Sequence, residues 1–551
     1  MKMALTSFLL AVFPMATFLH FAPTLPAADH GEPPVRAPFE GLDTAAVNDW
    51  WNRPPSKIHD VNVPRDEVVA FGLYTVANGT LKLSAQLYPL YPRETREMRL
   101  EIQDGGQWRE IARARVNDIG WSALFRVENW DASRDVPYRL RHGGRAMFEG
   151  LIRKDPARKS EIVVAAFSCN SNKDRGPREE FVRNVNHHDP DLLFFAGDQS
   201  YDHKEHTAAW LLFGRQFRDV LRSRPCITIP DDHDIGQGNL WGEGGKRASS
   251  PAGDDGGYFY HAEYVKMVER CQTAHLPDPY DPAPIGQGIG VYFTRLKVGG
   301  VDFAIIEDRK FKSGPAGKIP QQGPRPDHIL NPNYDPASID LPGLELLGAR
   351  QLKFLRDWGR EWRNVRFKAV LSQTGFCGGA HLHGTHDNRV YADLDSNGWP
   401  QTGRNRALAE MRKAFAVHIA GDQHLGTIFH HGIEEFGDAC WSFCVPAIVN
   451  NYYSRWWWPE DGKPGARPDP RSPLPWTGDY LDGFGNRITM HAYANPDSDS
   501  NGAGYGLIRF NKSKGTVTFE CWPRFADVTR PGAKQFPGWP ITIRPSPPRK
   551  D

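Results

Sequence analysis

The chain has 551 residues, 40% hydrophobic and 24% charged, the composition of a globular protein too long for one ordinary core, so two or more domains are expected. With 67 Lys and Arg against 66 Asp and Glu, no bulk charge recruits nucleic acid or an anionic membrane surface. An anionic substrate must therefore be held by a local site.

The amino terminus reads Met1-Lys2-Met3, then the apolar stretch ALTSFLLAVFPMATFLHFA, then Leu25-Pro26-Ala27-Ala28. One cation, an apolar segment and a small-residue exit predict a secretory signal over residues 1–28 and an exported protein, periplasmic or extracellular. Pro14 and His20 interrupt the segment, which argues against a membrane anchor, and no later stretch can span a bilayer. Residues 29–65, rich in Pro, Asp and Arg, read as a linker. Over residues 66–153, short alternating runs (VVAFGLYTV, LKLSAQLYPLY, REMRLEIQD, WREIARARV, GWSALFRVE, PYRLRHGG) predict a small antiparallel β-sandwich of the immunoglobulin or fibronectin III kind.

From residue 160 to about 545, buried-type strands alternate with helical stretches, which predicts an α/β domain. EIVVAAFSC, DLLFFAGDQ, PCITIPDDHD, VDFAIIEDR, FKAVLSQTG and AVHIAGDQH are apolar runs that end in polar, reactive residues. In α/β sheets, ligands bind beyond the carboxyl ends of strands, so these runs are expected to deliver side chains to one edge. Residues 456–503, rich in Pro, Gly, Asp and Trp, read as a long ordered loop whose Trp456-Trp457-Trp458 run either lines a cleft or packs beneath it.

Four strand-end clusters stand out: Ser168-Cys169-Asn170, Gly197-Asp198-Gln199-Ser200-Tyr201, Asp231-Asp232-His233-Asp234 and Gly421-Asp422-Gln423-His424. Singly each is a turn or a cap; together, carboxylate, imidazole, thiolate and phenolate groups can enclose metal ions. A carboxylate such as Asp198 can bridge two ions, which then clamp a phosphoryl group and supply hydroxide as nucleophile.

These residues resemble a family. The order Ser-Cys-Asn, Asp-Pro-Asp-Leu-Leu-Phe-Phe-Ala-Gly-Asp-x-x-Tyr, Asp-Asp-His-Asp and Gly-Asp-x-His looks like the alkaline phosphatase D (PhoD-like) branch of the calcineurin-like metallophosphoesterases. Glu307-Asp308-Arg309-Lys310-Phe311 and Asn397-Gly398-Trp399-Pro400 with Arg404 and Arg406 resemble two further segments of that family, and the likeness spans about residues 65 to 525. It implies a four-layer αββα catalytic domain and hydrolysis of small phosphate monoesters or diesters. It also implies Fe3+ held by Cys169, Asp198, Tyr201 and His424, with Asp198 shared with a Ca2+ site completed by Asp232 and Asp422. Thiolate and phenolate suit ferric iron, and an oxygen-rich site suits calcium. His233 is then expected to stabilise the phosphoryl group or protonate the leaving oxygen. Arg309 is the preferred phosphate clamp, with Asn170, Arg404 and Arg406 as further substrate contacts.

The chain departs from that pattern at Asp234, where Glu is usual, at Glu307, where Asp is usual, and at Gln373, where the wider superfamily often has a histidine ligand. Seven cysteines fit one ligand thiol plus up to three disulfides. His381-Leu382-His383-Gly384-Thr385-His386-Asp387 reads as a solvated loop near the active-site mouth rather than a further metal site. Two competing functions are a surface binding protein on a retired scaffold and a hydrolase of sulfate or phosphonate monoesters.

Overall fold

The computed structural model describes residues 43–47, 50–451, 453–460, 469–497 and 501–545, so the secretory signal and the first part of the linker lie outside the described residues. Seven strands come first: β1 (Val69–Ala77), β2 (Thr80–Leu87), β3 (Glu97–Asp104), β4 (Gln107–Arg115), β5 (Ser122–Val127), β6 (Val136–His142) and β7 (Ala146–Ile152). They form two antiparallel sheets in the orders β1-β2-β5 and β4-β3-β6-β7. In β6, Val136, Tyr138, Leu140 and His142 are buried while the residues between are half-buried, the alternation of a strand with one face on a core.

The remaining strands build two large mixed sheets. The first contains β8 (Glu161–Asn170), β9 (Leu192–Phe195), β10 (Cys226–Thr228), β20 (Ala447–Val449), β24 (Gly504–Asn511), β25 (Thr516–Pro523) and β26 (Ile541–Ile543). Its order is β10-β9-β8-β24-β25-β26, and β20 also pairs with β8. The second contains β11 (Thr294–Val298), β12 (Val301–Ile305), β14 (Phe367–Thr374), β17 (Val417–Gly421), β18 (Thr427–His431), β19 (Trp441–Cys444), β22 (Gly478–Leu481) and β23 (Arg487–Tyr493), in the order β11-β12-β14-β17-β19-β18-β23-β22. Two-residue ribbons, β13 (His328–Ile329) with β16 (Ala392–Asp393) and β15 (Leu382–His383) with β21 (Arg455–Trp456), lie beside them.

The two sheets stack over a shared apolar core in which Phe303 meets Phe510 and Phe443 meets Phe519. On the outer face of the first sheet, α1 (Glu179–His188) and α2 (His206–Leu221) set Phe181, Phe213 and Phe217 against Phe167 and Phe195. On the outer face of the second, α5 (Gly348–Arg360) and α6 (Gln401–Lys413) set Phe354, Leu355, Leu408 and Met411 in one core with Ala304, Ile306 and Val370. Phe354, Leu355 and Trp358 recur at the i, i+1, i+4 spacing that puts one helix stripe on a sheet.

Three expectations are corrected. Parts of residues 43–65 are packed rather than free: Trp50 and Val61 are buried, and Trp121 Nε1 donates to the Ala45 carbonyl at 2.7 Å, while residues 52–55 are exposed. The stretch 456–503 contains β22 and β23, whose alternating RITMHAY run was masked by its Pro- and Gly-rich flanks. All seven cysteines are buried free thiols. Among the described residues no helix is long and apolar enough to cross a membrane.

Candidate metal centre

β8, β9 and β10 run parallel in the first sheet and β17 lies in the second; their carboxyl ends meet, and the clusters singled out in the sequence occupy those ends. Cys169 is the penultimate residue of β8, and Asp198 follows β9. After β10, Asp232 opens the short helix α3 (Asp232–Ile235), which packs on α4 (Ala262–Thr273), and Asp422 and His424 follow β17. The turns are stitched together by Cys169 N to Gly197 O (3.1 Å), Asn170 N to Asp198 O (2.8 Å) and Asp422 N to Ser168 Oγ (2.9 Å). Close approach demands glycine at two points. A Cβ on Gly197 would stand 2.4 Å from Asp231 Cβ, and one on Gly421 would stand 2.1 Å from Ser168 Oγ.

Cys169, Asp198, Asp422 and His424 have φ of 56°, 59°, 67° and 52°, the left-handed region that non-glycine residues avoid. Each such residue costs on the order of 1–2 kcal/mol and persists only where its surroundings over-determine it.

The donor atoms fall into overlapping groups that share the Asp198 carboxylate. Cys169, Asp198 and His424 each offer an atom within 4.8 Å of the others; so do Asp198, Asp231, Asp232 and Asp422, and so do Asp198, Asp232 and His233. Tyr201 joins the first group, with its hydroxyl 3.0 Å from His424 Nε2. His424 Nδ1 lies 3.2 Å from Asn450 Oδ1, which assigns the proton to Nδ1 and leaves the Nε2 lone pair facing the group. Asp234 is the clamp beneath: Oδ2 accepts from Asp198 N (2.8 Å) and Asp231 N (3.0 Å), and Oδ1 accepts from Ser200 N (2.9 Å).

Electrostatics show what the centre lacks. Burial, then repulsion from Asp198 and Asp422, pushes the Cys169 thiol well up, and burial with Asp198 does the same to the Tyr201 phenol. Burial and neighbouring carboxylates raise Asp198; burial raises Asp232 although Arg309 pulls it down. At Asp422 burial is outweighed by Arg309 and Arg455, and the carboxyl sits below its usual range. Burial lowers His424 to about 4, so its ring is neutral. The donors are thus a neutral imidazole, a thiol, a phenol and crowded carboxylates, and Asp232 Oδ1 is buried without a hydrogen-bond partner. A cation would supply the missing charge and give that oxygen a partner, and it would lower the thiol and phenol pKa values; the residues fit a metal pair.

The remaining expected site residues divide. His233 stacks on Tyr201 with ring centroids 4.2 Å apart, and its Nδ1 is 2.6 Å from His203 Nε2. Arg309 is not a free phosphate clamp. Its guanidinium is buried and bonded to Asp231 (2.7 Å) and Asp395 (2.5 Å), with Asp422 Oδ1 at 3.1 Å. Asn170 is locked between Arg178 and Gln216. Arg404 is buried in α6 and donates to the carbonyls of Phe376 and Gly432, a packing role, while Arg406 is exposed on the same helix. Gln373 donates to Pro230 O and Tyr292 OH and accepts from Asp308 N, joining strand ends rather than offering a ligand atom.

Sequence reasoning placed Asp231 in a cluster but gave it no role, and it passed over Asp395, His203, Asn450 and Arg455. Asp231 carried a signal, being adjacent to Asp232. The others are joined to the centre only by tertiary contacts, such as Arg455 Nη1 to Gln423 Oε1 at 3.1 Å. The histidine loop is also corrected: His383 is buried, His381 Nδ1 accepts from Trp458 N, and His386 lies against Trp456. Trp456 and Trp457 are buried beneath it, and Trp458 is exposed.

No protein-family model and no curated protein matches the sequence. Among solved structures, PhoD aligns over 88% of this chain and 91% of its own, with a TM-score of 0.59 and 12% identity. The purple acid phosphatase PPD1 from yellow lupin (Lupinus luteus) seeds aligns over 86% and 73%, with a TM-score of 0.52 and 11% identity. The chain therefore has the fold of PhoD and of purple acid phosphatase.

Proposed function

We propose that this chain is an exported, metal-dependent phosphoesterase of the alkaline phosphatase D type, acting on small phosphate monoesters or diesters. The observation that carries the reading is the position of Asp198, the carboxylate common to a thiol–phenol–imidazole group and to an all-carboxylate group. Cys169, Tyr201 and His424 would hold Fe3+, and Asp232 and Asp422, joined by Asp231, would hold Ca2+. When bound, the pair would activate water, clamp the phosphoryl group and stabilise charge on the leaving oxygen. The amino-terminal sheets would be a packing module of the immunoglobulin or fibronectin III kind.

The chain's own residues prepare that chemistry. Asn450 fixes the His424 ring, and Asp234 fixes the backbone of Asp198 and Asp231. Arg309 balances Asp231, Asp395 and Asp422, so these carboxylates stay together in a dry site. Burial and the neighbouring His203 keep His233 neutral, so in the alkaline range it would hydrogen-bond a phosphoryl oxygen rather than act as an imidazolium acid.

The test is metal analysis of the native protein beside paired monoester and diester assays. Expected are bound iron, visible absorption from tyrosinate-to-iron charge transfer, loss of activity with a calcium chelator, and abolition of hydrolysis by Asp198→Asn. A folded, colourless, metal-free protein without hydrolytic activity after reconstitution would overturn the proposal.

A further inference from the structure

A second cluster of donors lies in the two-stranded ribbons. In the β13–β16 pair His328 stands opposite Asp393, and in the β15–β21 pair His383 stands opposite Arg455. This brings His328, His383 and Asp393 together, all buried, with one donor atom of each within 4.8 Å of the others.

His383 Nε2 lies 3.4 Å from the Ala380 carbonyl, so Nε2 carries the proton and Nδ1 keeps its lone pair, the arrangement that second-shell carbonyls impose on metal-binding imidazoles. That Nδ1 faces Asp393 Oδ2 at 3.9 Å. His328 Nε2 stands 4.0 Å from Asp393 Oδ1 and 3.6 Å from Asp327 Oδ2. These gaps are too long for hydrogen bonds, and His383 Nδ1 and Asp393 Oδ2 are both buried without a hydrogen-bond partner. Around a tetrahedral ion with ligands at about 2.0–2.1 Å, neighbouring donors stand roughly 3.3 Å apart. With the three donors within 4.8 Å of one another, a contraction of up to about 1.5 Å would close them onto one ion.

Two cations face the cluster. Arg455 Nη1 is 3.4 Å from Asp393 Oδ2, and Arg325 is bonded to Asp327 together with Asn239. Asp327 is therefore already engaged, and the donor set is two imidazoles and one carboxylate, which suits zinc-type ions better than calcium.

We propose that His328, His383 and Asp393 hold a divalent transition-metal ion of the zinc type, separate from the centre around Asp198. Asp393 Oδ1 also accepts from Asp395 N at 3.1 Å, and Asp395 bonds Arg309, so the ion would brace the segment that holds the buried guanidinium. Nothing in this depends on the reaction assigned to the Asp198 centre.

The experiment strips the full chain with chelator and titrates it with Co2+ and Zn2+, using wild type and Cys169→Ser. His383→Ala and His328→Gln are each built on Cys169→Ser, so that the thiol centre contributes equally to every variant compared. Expected is one equivalent of Zn2+ at this cluster, and a four-coordinate Co2+ ligand-field band that persists in Cys169→Ser and is lost in both histidine variants. Circular dichroism reports folding, and Asp393→Asn replaces any histidine variant that fails to fold. Absence of the band from Cys169→Ser, or its persistence in the histidine variants, would show that the cluster is only an ionic contact and overturn the proposal.

Discussion

Asp234→Asn tests the architecture of the centre without touching a candidate ligand. The native carboxylate accepts three backbone N–H bonds, from Asp198, Asp231 and Ser200, and the one from Asp231 completes the capping box of α3. Asparagine keeps one acceptor oxygen. At best it preserves the two bonds at Oδ2 and turns an NH2 donor against the Ser200 N–H. Loss of one charge-assisted bond and one stranded buried donor together cost roughly 3–5 kcal/mol. The exposed Asp219→Asn change is the control, expected within about 0.5 kcal/mol of wild type. Urea unfolding of metal-loaded and chelated protein reads the stability, and elemental analysis reads metal retention, which should fall because the turn carrying Asp198 loses its anchor. An Asp234→Asn midpoint and metal content equal to wild type would refute the claim that this carboxylate sets the backbone of the site.

Three further outcomes are expected. Arg309→Gln leaves Asp231, Asp395 and Asp422 without their buried counter-charge, costing about 3–5 kcal/mol, and added Ca2+ should recover part of the loss in thermal melts. Gly421→Ala pushes a methyl into Ser168 Oγ and should lower stability by about 3 kcal/mol, while adding Ser168→Gly should restore part of it in the same unfolding assay. Burial raises Asp43 from 3.8 to about 7, so the folded chain keeps it protonated where the unfolded chain ionises it. Stability should therefore fall as pH rises from about 4 to 7 and level off above, by up to about 4 kcal/mol, and Asp43→Asn should remove that slope.

The strand ends were legible because each buried strand is an apolar run, and the polar residue that breaks the run marks the sheet edge. EIVVAAFSC, DLLFFAGDQ and AVHIAGDQH announced Cys169, Asp198 and Asp422 in this way. What stayed hidden depends on partners far along the chain. Arg309 reads as a phosphate ligand until Asp231 and Asp395 are seen on its guanidinium. His383 reads as solvated loop because its companions lie at 328 and 393, and two-residue ribbons are too short to show a period. Asp43 reads as linker, yet its carboxylate accepts from Thr207 N at 2.7 Å and so caps α2, whose own preceding residue, Glu205, offers no side-chain cap.

The left-handed backbone at Cys169, Asp198, Asp422 and His424 bears on how long such a sequence survives without use. Glycine would relieve on the order of 1 kcal/mol at each position, so under selection for stability alone all four would drift away from thiol, carboxylate and imidazole. Holding all four in this region is a combined cost of several kcal/mol to the fold, local strain of the kind that clusters where side chains converge on a ligand.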